Sequence, residues 1–165
     1  MPKLYNVNVD GVMLQARSEE WLRAKYGDKA DAIIFDAQQF ERLVVVDKIH
    51  ADLLNKLTGG ASIEERDTWQ AKELAARAVI AGTASSSQSL MIGTEAHFLG
   101  KTPAKIADTI IVKAKAFHKL IGLAGGIRSK SRIAIKSATT QAELDSAITT
   151  AQEDVAAGLD SFNAQ

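Results

Sequence analysis

The chain has 165 residues and no cysteine. That absence excludes disulfide staples, thiolate zinc sites and thiol nucleophiles together, and it fits manufacture in a reducing compartment. There is no excess charge of either sign: Lys plus Arg is 20 and Asp plus Glu is 20. A generally basic nucleic-acid binder and an acidic, solvated tail are both disfavoured by that balance. No apolar run reaches the roughly 18 residues that a membrane span needs. The first ten residues, MPKLYNVNVD, lack the basic-then-apolar pattern of a secretory leader. The expectation is a soluble, intracellularly made protein of one domain or two small ones, long enough to bury roughly two thirds of its unfolded surface.

Patterns that carry chemistry are also scarce. The three histidines are His50, His97 and His118, and no two have the i, i+4 spacing of helical metal ligands. Glu64, Glu65 and Asp67 cluster where a helix start favours acids. The Ser-rich stretch from Thr83 to Ser89 contains neither G-x-S-x-G nor S-x-x-K. Gly122 to Gly126 lacks both the strand-first dinucleotide fingerprint and a P-loop lysine, and reads as a helix stop. These features predict no catalytic residue, no cofactor and no metal: a protein that is not an enzyme.

What is abundant is alanine. It occurs 27 times, 21 of them from Ala61 onward, and alanine is the best helix former. The second half should therefore be helical, with a boundary near Thr58-Gly59-Gly60-Ala61-Ser62. The predicted fold class is α+β: a small head over 1–60 that contains a β-hairpin, then an Ala-rich, antiparallel helical domain over 61–165.

In the head, Leu4 to Val9 alternates apolar and polar. Asp10-Gly11 then separates it from Val12 to Gln15, a strong hairpin signal. Ser18 should cap a short helix ending at Gly27. Ala32 to Phe35 and Leu43 to Val46 read as short buried strands. Asp47 then caps a helix over Lys48 to Leu57, with Ile49, Leu53, Leu54 and Leu57 on one face. A sheet of three or four strands with two short helices would bury these runs.

In the second part, Ser62 and Glu65 form a capping box opening a helix to Ala81, with Gly82 at its end. Thr83 to Gln88 reads as a polar connection, and Ser89 to Leu99 is ambiguous. Thr102-Pro103 starts the next helix. Its apolar stripe, Ile106, Ile110, Ala114, Phe117, Ile121 and Ala124, has heptad-like spacing. Gly125-Gly126 should break that helix, leaving a shorter one over Ile127 to Ala138. Thr140 and Glu143 make a second capping box. The last helix places Leu144, Ile148, Ala151, Val155, Leu159 and Phe162 on one face.

Charge is uneven along this part. From Lys101 to Lys136 there are nine Lys or Arg against one acid, Asp108, whereas 137–165 hold five acids and no Lys or Arg. One reading pairs the basic helices with the acidic last helix, at about 0–1 kcal/mol per exposed pair. The other makes 101–136 a basic face for phosphates, and hence a small nucleic-acid-binding module. No nucleic-acid motif accompanies the charge. Trp69 is the one large residue on the first long helix and reads either as a core anchor or as a binding hot spot.

Glu65-Arg66-Asp67-Thr68-Trp69, followed by an Ala-rich helix, resembles the E-R-x-T-W pattern of tailed-bacteriophage proteins encoded beside tail-fibre genes. Further elements of that pattern follow in order: Ile106 through Ile111, Lys113-Ala114, Phe117, Gly122 and Gly126, Arg128, Ile135, Ala138, Thr140, Glu143 and Leu144. The resemblance spans roughly 63–148. A Pro often found after the Trp is replaced here by Gln70, so the helix should run straight through. The resemblance implies a tail-fibre-associated or tail-fibre assembly protein, chaperone-like or a structural adaptor. It would bind the fibre or a baseplate protein, in the host cytoplasm during assembly or retained in the virion tail. It makes Trp69, Lys113, Phe117 and Arg128 the candidate partner-binding residues. No membrane and no small-molecule substrate is implied.

Overall fold

The structure, a computed structural model, describes residues 3–59 and 61–163, the side chains of Leu57, Ile63, Phe162 and Asn163 excepted. Gly60 of the expected boundary, and the apolar-face positions of Leu57 and Phe162, thus lie outside what is described.

The chain is α+β, with an antiparallel hairpin followed by helices. Strands β1 (Leu4–Val9) and β2 (Val12–Ser18) meet at Asp10-Gly11. Both turn residues have positive φ, 53° and 82°. A type I′ turn demands this, and its twist matches that of the strands. The pairing slips between Tyr5↔Arg17 and Val7↔Leu14, so Asn6 faces two residues, Gln15 and Ala16. Ala16 sits at φ 52° in this bulge, and its N–H donates to Asn6 Oδ1 at 3.0 Å. The bulge restores the alternation on the inner face, where Tyr5 and Val7 are buried.

Helix α1 (Glu19–Tyr26) begins as its sequence dictates: Ser18 Oγ accepts from Trp21 N–H at 3.2 Å. Gly27 ends it and opens a short 3-10 turn to Lys29. The next element departs from expectation. Ala30–Leu57 is one helix, α2. The apolar runs 32–35 and 43–46 are turns of that helix, not strands, and Asp47 lies in its interior, not at its cap. The sheet therefore has two strands, not three or four. No Gly or Pro interrupts Ala30 to Leu57. Ala30, Ile34 and Ala37 recur at helical spacing and pack with Tyr5, Val7 and Leu22 in one core. Tertiary packing overrides the β-propensity of Ile and Val.

Helix α3 (Ile63–Ala81) is capped by Ser62, whose Oγ accepts from Glu65 N–H at 3.1 Å, and Gly82 closes it in a left-handed conformation. It runs through Gln70, as the missing Pro predicts. Helix α4 (Ser86–Phe98) opens with a capping box that sequence reading missed. Ser85 Oγ accepts from Gln88 N–H at 3.3 Å, and Gln88 Oε1 accepts from Ser85 N–H at 2.9 Å. Helix α5 (Pro103–Ser137) passes through Gly125-Gly126 without a break, contrary to the helix stop expected there. Neither glycine has positive φ, and Ala124 and Ile127 on either side are buried. Burial on that face outweighs the roughly 0.5–1 kcal/mol each helical Gly costs. Helix α6 (Gln141–Asn163) is capped by the Thr140–Glu143 box.

The chain folds as two compact units: Met1–Asp52 with Ala124–Gln165, and Leu53–Leu123. The observed units thus run differently from a division at residue 60, since the last stretch of chain joins the first. In the first unit, Val46 of α2 packs with Ile135, Ala138, Leu144 and Ala147, and Phe35, Leu43 and Ile148 border this core. Gln39 Nε2 donates to the carbonyls of Ile135 and Lys136 at 2.8 and 3.3 Å, satisfying groups that the end of α5 leaves without helical partners. In the second unit the core is alanine-rich: Ala75 and Ala76 of α3, Ile92 and Ala96 of α4, and Ile106 and Ala107 of α5. Small side chains at those contacts let the helices approach closely.

Candidate functional site

In the second unit, α3 carries Trp69, Glu73 and Arg77 four residues apart, hence on one face. Helix α5 brings Phe117 against it. The Trp69 and Phe117 rings meet edge to face, with centroids 4.9 Å apart at 86°. Both side chains are half-buried. Beside them Glu73, its side chain only 12% exposed, accepts from Arg77 Nε and Nη2 at 2.9 and 2.7 Å. His118 Nε2 lies 3.3 Å from the other Glu73 oxygen. The carboxylate is therefore engaged on both oxygens. Lys72 pairs with Glu95 at 3.1 Å, tying α3 to α4.

Of the four candidate residues, the structure brings two into contact, Trp69 and Phe117. Lys113 is exposed one turn before Phe117 on α5. Arg128 belongs to the other unit, where its Nε donates to Asp47 Oδ1 at 2.7 Å. Arg132 Nη1 donates to both Asp47 oxygens, at 3.0 and 2.9 Å. The Arg128 hydrogen bond, followed by that of Arg132 and opposed by partial burial, holds the Asp47 carboxyl below its ordinary range. Lys130 pairs with Asp154 at 2.6 Å. The basic stretch is thus partly neutralised from within the chain, by α2 as well as by α6.

Sequence reading also missed the outer face of α4. Ile92 and Ala96 are buried, yet Leu90, Met91 and Phe98 point away from the core, with Leu90 70% and Phe98 82% exposed. The available signal is the set Leu90, Met91, Ile92 and Phe98, ambiguous in sequence because Gly93 lies in its middle. Among the described residues no three or more His, Asp or Glu gather as a metal site. No described helix is long and apolar enough to cross a membrane. A groove of about 320 Å³ between α5 and α6 is lined mostly by small side chains, including Ala134, Ser137, Ser146 and Thr150.

Comparison with protein-family models, with curated proteins and with solved structures gives no match for the chain.

Proposed function

We propose that the chain is a non-enzymatic bacteriophage tail protein that binds the tail fibre or the baseplate, acting in fibre assembly or as a structural adaptor in the virion tail. The observation that carries a docking role is the outer face of α4. Leu90, Met91 and Phe98 leave large apolar side chains in water, on a helix whose other face, with Ile92 and Ala96, is already buried. Large apolar side chains left in water on one face mark a surface that another molecule covers. Another protein covering this face would remove the mismatch. The half-buried Trp69–Phe117 pair adds aromatic area of the kind that anchors interfaces. A phage tail, as the setting, rests on the motif resemblance over 63–148. The hairpin offers a second surface. In a two-stranded sheet each strand keeps one unpaired edge, open to strand addition by a tail protein, while the helices hold the fibre. The protein would work in the host cytoplasm during assembly, and as an adaptor it would remain in the particle.

Co-expression of the full-length chain with the fibre protein of the same genome tests this. The fibre should co-purify, and Leu90→Glu with Phe98→Glu should abolish capture. A fibre that matures without binding the chain, or that binds the wild type and the double variant equally, overturns the reading. Mass spectrometry of purified particles then separates an assembly factor from an adaptor. The competing reading, a nucleic-acid module on 101–136, is weakened by the engagement of Arg128, Arg132 and Lys130 with Asp47 and Asp154. A phosphate binder would show affinity falling steeply with salt, near −0.9 per contact on a log–log plot.

A further inference from the structure

The head carries a cation–aromatic row that the motif resemblance does not reach. Arg17, Trp21 and Lys25 stand four residues apart, from the end of β2 through α1. The Arg17 guanidinium carbon lies 4.7 Å and Lys25 Nζ 4.8 Å from the centroid of the Trp21 ring. Trp21 is fixed in place. It packs on the Tyr5–Val7–Leu22 core, and its ring meets Tyr26 edge-on at 6.2 Å.

The neighbouring cations show what is missing here. Lys3 also lies over an aromatic ring, that of Tyr5, but Glu41 pairs with it at 3.2 Å. Arg23 pairs with Asp31 at 2.6 Å. Arg17 and Lys25 have Trp21 and no carboxylate. Glu19, the nearest acid in sequence to Arg17, is taken by the Tyr5 hydroxyl at 2.8 Å. Among the described residues, Arg17 Nε is the buried side-chain nitrogen left without a hydrogen-bond partner. Each cation lies under 5 Å from the same centroid, so the two are within about 10 Å of one another, roughly one Debye length at physiological salt. Cation–π contact returns about 0.5–1 kcal/mol at an exposed cation such as Lys25, and up to about 2 kcal/mol at a desolvated one, toward which half-buried Arg17 tends. Two like charges thus gather on one ring, and neither has a carboxylate partner among the described residues.

We propose that the Arg17–Trp21–Lys25 row docks a short acidic peptide segment, whose carboxylates bridge the two cations while its backbone lies against the indole edge. The local charge selects such a ligand over a long polyanion. Glu19, Glu20 and Asp28 lie close in sequence, so a short ligand that reaches only Arg17 and Lys25 escapes a repulsion that an extended phosphate backbone, running past them, would meet. The Trp21 ring, already covered by cations, is not free for a base to stack on.

The test uses full-length protein carrying Trp69→Phe, which leaves Trp21 as the sole tryptophan. Hexaglutamate is titrated at about 20 mM salt, where exposed charges are least screened. Trp21 emission should change and saturate. Arg17→Gln with Lys25→Gln should weaken binding at least about tenfold, the loss expected when two charge-assisted contacts go. Arg23→Gln, which removes one positive charge from a paired site, should leave affinity within about twofold. Calorimetry on the chain without Trp69→Phe reads the same titration. No binding to hexaglutamate, saturation by inorganic phosphate alone, or equal losses in Arg23→Gln and in the Arg17→Gln, Lys25→Gln double variant would each overturn the proposal.

Discussion

Asp47 accepts a 2.7 Å hydrogen bond from Arg128, joining the middle of α2 to the second half of α5. A second arginine, Arg132, reaches the same carboxylate. The folded carboxyl is held below its ordinary range, so its stabilisation is complete above the unfolded value near pH 4 and is lost as pH falls through the folded one. Asp145, drawn down chiefly by Arg42, acts in the same direction. Asp47 is 42% exposed, and solvent screening keeps the effect to about 1 kcal/mol. Asp47→Asn should lower unfolding free energy by that amount at pH 7, and the gap from wild type should be narrower at about pH 3. Urea melts at both pH values check it; an unchanged gap contradicts the linkage.

Gly126 lies in the interior of α5, where an added Cβ would meet nothing within 4 Å. Gly126→Ala should therefore stabilise the protein by about 0.5–1 kcal/mol, through backbone entropy alone. That raises the melting temperature by roughly 1–4 °C for a protein of this size. A drop in melting temperature would contradict an unbroken α5 at this position.

Ala16 holds φ 52° in the hairpin bulge, a left-handed conformation that costs a residue with a Cβ about 1 kcal/mol. Ala16→Gly should recover up to that amount, less the greater entropy glycine loses on folding. Gly11→Ala, at φ 82° in the turn, should cost stability instead. Thermal melts of the two variants should move in opposite directions.

The two faces of α4 should respond differently to truncation. Ile92→Ala removes a fully buried side chain and should cost about 2–5 kcal/mol. Phe98→Ser changes a side chain already in water and should leave stability within about 0.5 kcal/mol. If Phe98→Ser destabilises as Ile92→Ala does, α4 is held by contacts on both sides and its outer face is not free for a partner.

Much of the fold was legible because caps and turns are local chemistry. Ser18, Ser62, Thr102, Thr140 and the Asp10-Gly11 pair each act where their sequence context places them. The misreadings lie where tertiary burial decides. The 43–46 run resembles a strand until Ile135 and Leu144 arrive to pack against Val46. Gly125-Gly126 resembles a stop until burial of Ala124 and Ile127 is counted. The site was less legible. The aromatic motif pointed to Trp69 and Phe117, which do meet. Arg128 was legible as a motif residue, but its partner, 81 positions away, was not.

The first compact unit is assembled from the two ends of the chain, with the second unit encoded between them. During synthesis Leu43 and Val46 emerge long before Ile135 and Leu144, so they wait uncovered while residues 53–123 are translated. The intervening unit has all its strands of chain in hand first and is free to fold on the ribosome. A premature stop after Leu123 would release a product with an intact middle and an unfinished head, a natural target for chaperones and proteases.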